Sequence, residues 1–326
     1  MRPMAKSLGG FRTALAAGWI ALVAVGFLLA RARGITISAA LPVVAAFLAE
    51  YPFYLAAGFP AVRERLAGPR LPAILLASVL LPYLICSLNV PGFQWTAVAR
   101  LAAVVLALGL WYRVLPATVL ADAAFLLLVA FVMLGRYFDG IYPELFRQKL
   151  SILGTLALFY TSVLVLMLER RIHETGFGFL PTRRDWAVGA LHYGYFLVLG
   201  APLALALDAV HLSKAAPVWT VAGTFLGFLW VVALWEEFLF RGVLQQWLEE
   251  WTWAFGAQSR TIALAMTAAV FGLAHLWFRG FPNWKWALIA TLLGLVCGHA
   301  RNQTGGIRAG VVTHALVVAT WRAFFF

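Results

Sequence analysis

Charge is what this chain has least of. Only 12% of its 326 residues are Asp, Glu, Lys or Arg, and the acids number 13. Soluble domains carry about twice that charged share, so a water-soluble globule is excluded. Cysteine is almost missing as well. Cys86 and Cys297 each lie in an apolar run with no partner spacing, which excludes a disulfide framework and a thiolate metal site. There is no GxSxG for a serine hydrolase and no HExxH for a zinc peptidase. Ser259 and Cys297 have no base at helical spacing, so neither reads as a nucleophile. Internal repeats and low-complexity tracts are absent, which sets aside solenoids and the duplicated halves common in transporters. The 25 Lys and Arg leave a net charge of +12, but they are scattered through short loops and the N-terminus. Such loops build no solvent-facing basic surface, so nucleic acid is not an expected partner. The excess reads as topology and contact with lipid headgroups, making membrane lipids the expected partners.

What remains is apolar: 63% of residues are hydrophobic and the mean hydropathy is +0.88. Runs near the ~20 residues needed to span a bilayer fall at about 14–30, 35–59, 71–90, 96–112, 116–135, 150–168, 187–207, 217–244, 260–280, 285–300 and 306–326. The expected fold is therefore all-α, a polytopic transmembrane bundle of about 10–11 spanning helices. Arg2, Lys6 and Arg12 precede Ala14-to-Ala30 with the polarity of a signal peptide, but the run is too long and lacks a cleavage site, so it reads as an anchor. Basic residues favour the side shared by the N-terminus and by the loops at Arg63–Arg70, Arg170–Arg184 and Arg301–Arg308. The N-terminus is accordingly expected in the cytoplasm of a cell whose inner membrane holds the chain. Arg31-Ala-Arg33 is the clearest contradiction. The charged connection Glu169-to-Trp186 divides residues 1–170, helices expected to recruit a substrate or partner, from residues 180–326. Its Thr175-to-Trp186 part is expected to lie amphipathically on the membrane.

Ionisable residues inside apolar runs are functional-site hypotheses by default. The densest group is Trp235-Glu236-Glu237-Phe238-Leu239-Phe240-Arg241. Glu237 and Arg241 are four apart with the acid first, the favourable order for a helical ion pair. Glu236 has no basic residue three or four positions away, so it is the unpaired acid and the expected base. Glu50 and Asp122 are lone acids in the first half without an ordered histidine, and they read as structural or lumen-facing.

Downstream come Phe271-Gly272-Leu273-Ala274-His275 and, in the last apolar run, His314. EExxxR, FxxxH and a later helical His, in this order, resemble the CPBP family of CAAX prenyl proteases and bacteriocin-processing intramembrane peptidases. The resemblance spans about residues 180–326. It implies an intramembrane endopeptidase of the glutamate type, acting on a membrane-bound or lipidated protein without a cofactor. Glu236, His275 and His314 fall at catalytic positions, and Glu237, Arg241 and Phe271 at supporting ones. The third motif departs from the family's HxxxN, because Val318 stands where an amide usually helps to hold an oxyanion.

Depth supports a shared site. Glu236 and His275 are 39 residues apart with a turn expected near Phe255-Gly256, so antiparallel arms place them at one height. Counting from the loops puts His314 in the same plane, with Trp247 at the inner interface and Trp277, Trp284 and Trp286 in the opposite belt. There Glu236 would activate water, His275 would hold it and move its proton, and His314 would donate to the tetrahedral oxyanion. His, His and Glu also make a zinc set, which stays open beside the metal-free reading. His173, His192, His211 and His299 read as loop or interface residues. Two rivals remain: a non-proteolytic scaffold of the same fold, suggested by Val318, and a proton-coupled transporter.

Overall fold

The computed structural model describes residues 2–87, 93–142 and 150–325, with side chains from residue 8 onward. Arg147 and Lys149, and the side chains of Arg2 and Lys6, which count toward the expected orientation, lie outside the described residues. The protein is all-α. Its helices are α1 (Arg2–Ala32), α2 (Ile37–Ala57), α3 (Pro60–Leu66), α4 (Leu71–Ser87), α5 (Trp95–Val114), α6 (Val119–Leu134) and α7 (Ser151–Leu168), then α8 (Arg183–Ala206), α9 (Val218–Trp251), α10 (Ser259–Ala274), α11 (Trp284–Thr304) and α12 (Arg308–Phe324). Each apolar run read from the sequence is helical, since a helix alone satisfies its own backbone in lipid. Seven of these helices are long and apolar enough to cross a membrane, or eight if the bent pair α3–α4 is one span. The count is below the expected 10–11 because α6 and α12 are short, at 16 and 17 residues, and α11 carries His299, Arg301 and Asn302. The chain is a multi-pass membrane protein.

Two compact units divide it, Met1–Arg171 and Ile172–Phe326. In the first, α7 is the central helix, with Ala157 through Leu166 buried without a break. Pro42 and Pro52 sit inside α2, where each lacks the N–H that would bond four residues back. The carbonyl of Leu48, freed by Pro52, accepts from Trp19 Nε1–H of α1 at 3.0 Å. Asp122 is structural: Arg170 grips both its oxygens at 2.8 Å and Tyr112 donates to it at 2.9 Å. Glu50 is fully buried in α2 with neither oxygen hydrogen-bonded.

In the second unit, α10 and α11 form an antiparallel hairpin whose backbones almost touch. A Cβ on Gly294 would come within 2.9 Å of Ala268 Cα, the close packing that small residues give membrane helices. The turn before α10 falls at Gly256, whose φ of +57° suits glycine. Helix α12 packs on α8, α9 and α11. The connection at Thr175, expected to lie amphipathically on the membrane, packs on one side against its own unit and leaves Leu180 and Trp186 exposed. Thr175 O accepts from Ile307 N–H at 3.0 Å, Phe177 meets Phe238 edge-on, and Trp230 Nε1–H donates to Phe179 O at 3.1 Å. Hydrogen bonds and aromatic contacts therefore hold this loop against its own unit. Trp247, expected at the inner interface, is 1% exposed and stacks on Trp251, so it packs within its own unit.

Candidate active site

Helix α9 carries the two acids on a short α-helical stretch, Ala233–Glu237, between two π-helical ones, Phe228–Val232 and Phe238–Leu244. A π turn widens a helix and rotates the residues beyond it, and such turns concentrate at functional sites. The two carboxylates face different surroundings. Glu237 is wholly buried, whereas the Glu236 side chain is 21% exposed and so is the acid an incoming molecule could reach.

Glu237 has two partners. Arg241 Nη1 lies 3.1 Å from its Oε1 at ion-pair distance, and His314 Nδ1 lies 3.1 Å from the same oxygen. A carboxylate only accepts, so Nδ1–H of His314 donates and Nε2 is left as the working nitrogen. That Nε2 is 3.8 Å from Glu236 Oε2, too far for a direct hydrogen bond. His314 thus stands between the two glutamates, one on each ring nitrogen. Arg241 is itself wholly buried, donates to Gly294 O at 3.2 Å and lies with its guanidinium carbon 4.3 Å from the centre of the Phe271 ring. Planar stacking of this kind suits arginine and not lysine.

His275 closes α10 in a single 3-10 turn, and its Nδ1–H donates to Phe271 O at 2.8 Å. Its Nε2 is therefore also the free nitrogen. The Phe271 ring lies between the histidines, its centroid 4.6 Å from that of His275 and 5.9 Å from that of His314. Among the described residues no hydrogen bond or ion pair links His275 to Glu236 or to His314. The structure thus joins Glu236, Glu237, Arg241 and His314 directly, and brings His275 to them through Phe271. Among the described residues no three His, Cys, Asp or Glu side chains are grouped so that they could hold a metal ion.

The motifs of α9, α10 and α12 therefore meet. Residues 217–320 match the family model Rce1-like, described as Type II CAAX prenyl endopeptidase Rce1-like. This segment resembles the type II CAAX prenyl endopeptidases. The match covers about a third of the chain, runs from the start of α9 into α12, and holds every residue of the cluster. No curated protein and no solved structure matches the chain.

Two features of this part of the molecule have no counterpart in the sequence reading. Gly310, one turn before His314, has no side chain where a Cβ would meet Glu237 Oε2 at 2.8 Å. It gives the buried carboxylate its room. His299 of the Rce1-like segment and His192 of α8 read singly as loop or interface residues, yet together they join α8 to α11 through Nε2 and Nδ1 at 2.9 Å. His192 Nδ1–H donates to Val188 O at 2.9 Å, so His299 must be the donor in that pair. Val318, the departure from the family pattern, is half-buried one turn beyond His314.

Proposed function

We propose that this chain is an intramembrane endopeptidase that hydrolyses a peptide bond of a membrane-bound or lipidated protein with an activated water, in a bacterial inner membrane. The observation that carries the reading is His314 held between two glutamates of unequal exposure. Glu236, the reachable acid, takes the proton of the attacking water. His275, tethered through Nδ1, presents a lone pair at Nε2 that holds this water or passes its proton to the leaving amine. When its ring carries both protons, His314 presents Nε2–H to the oxyanion, while Glu237 and Arg241 fix the ring that does so. The residues themselves supply each proton step, so the reaction as drawn uses no cofactor. The N-terminal helices, residues 1–170, would recruit the substrate or a partner.

Purified protein incubated with membrane-anchored peptides and read by mass spectrometry tests this. Wild type should yield two fragments. Glu236→Gln should lower cleavage by about 10²–10⁴-fold, the usual worth of a general base, with unchanged yield and elution. Full cleavage by that variant would remove Glu236 from the mechanism.

One observation favours a scaffold that keeps the fold without proteolysis: Val318 offers no donor beside His314. If the enzyme reading holds, Val318→Asn should raise kcat, by up to ~10²-fold if the amide supplies a full oxyanion donor. Cleavage by neither form, against peptides from the same membrane, would favour the scaffold.

A further inference from the structure

The pair Arg31 and Arg33 stands against the expected orientation, and the structure gives it a setting. Both arginines lie at the C-terminal end of α1, and among the described residues no acid pairs with either. A cleft of about 330 Å³ runs between α1 and α2, with Leu150 and Ile152 also on its wall; its side chains are apolar, with Arg33 its one charged residue among the described residues. Leu22, Val25 and Leu29 of α1, continued by Arg33 just past its end, recur at helical spacing along one face, opposite Val44 and Phe47 of α2. From Leu22 to Arg33 is eleven residues, or ~16 Å at the helical rise. That is about half the ~30 Å hydrocarbon core, the depth of one leaflet.

A cleft one leaflet deep, apolar along its length and cationic at one end, has the polarity of a phospholipid molecule. We propose that it is a binding site for an anionic phospholipid, with an acyl chain lying between α1 and α2 and the headgroup phosphate on Arg33. Arginine offers a phosphate the bidentate donors that suit it. A lipid seated there would also account for Arg33 on a face that topology should leave poor in charge.

Native mass spectrometry of the whole protein, delipidated in detergent and titrated with phosphatidylglycerol or phosphatidylcholine of the same chains, tests the site. Phosphatidylglycerol should be retained at least tenfold better. Arg33→Gln should remove that preference and leave phosphatidylcholine binding unchanged. Val25 is 53% exposed, so Val25→Trp should fold normally and cover the cleft, reducing retention of phosphatidylglycerol. Equal retention of both lipids by wild type, or a preference that survives Arg33→Gln, would mean a non-specific lipid shell and overturn the proposal. Undiminished binding to a well-folded Val25→Trp would overturn the cleft as its seat.

Discussion

Glu237 answers to two groups at once, and that sets how its substitution should be read. Glu237→Gln leaves Arg241 buried without its counter-ion and also loosens His314. Breaking a buried pair costs ~3–5 kcal/mol, so this variant should show a lower melting temperature in detergent and less protein. Adding Arg241→Met removes the stranded charge, and the double variant should recover most of the stability. It should not recover activity, since His314 still lacks its anchoring acid. A double variant as unstable as the single one would show that the ion pair is not what Glu237 contributes. The spacing of Glu237 and Arg241 made their meeting legible in the sequence, because four residues on one helix fix it. The contact of Glu237 with His314 was not legible, because it depends on how α9 and α12 are rotated about their axes. Nor was the need for Gly310, whose meaning lies in a carboxylate on another helix.

At the level of elements, hydrophobic length identified the long helices but not the seven-residue α3, whose Arg63, Glu64 and Arg65 read as part of a charged loop. The two π stretches of α9 left no trace in the sequence: Phe-Leu-Trp-Val-Val and Phe-Leu-Phe-Arg-Gly-Val-Leu have the character of an ordinary apolar helix. The contacts of the loop at Thr175 also escaped, since a Gly- and Pro-bearing connection carries no sign of which neighbours it meets. The bond from Trp19 to the carbonyl freed by Pro52 gives a quantitative check on α1–α2 packing. Trp19→Phe should cost ~1 kcal/mol, the net worth of one hydrogen bond. In a Pro52→Ala background the helix regains its own donor, so the same substitution should cost less. A double-mutant cycle in thermal unfolding reads the difference, and strict additivity would show that the indole bond contributes nothing.

Over the whole molecule, the distribution of arginines predicts sidedness. Native Cys86 and Cys297 are buried, so single cysteines placed at exposed Ala67 and Ser213 report without background. A membrane-impermeant maleimide should label Ser213→Cys in intact spheroplasts and Ala67→Cys only after lysis. The reverse pattern would invert the orientation and place the Arg31–Arg33 end of α1 in the cytoplasm. Charge bias alone carries this expectation. Helix order, by contrast, was readable from the chain because each run is separated by polar or Gly-Pro punctuation.

The anchoring of His314 has a consequence for biosynthesis. Helix α9 enters the bilayer with its three charged residues long before α12 is translated, and in that interval Glu237 has Arg241 alone. Insertion of α12 then delivers His314 to Glu237 and Gly310 to the space beside it in one movement. A chain stalled before residue 308 would already hold the Glu237–Arg241 pair, yet lack the histidine that stands between its two acids. Under the proposed function, the site would stay inert until that last helix of the cluster has docked.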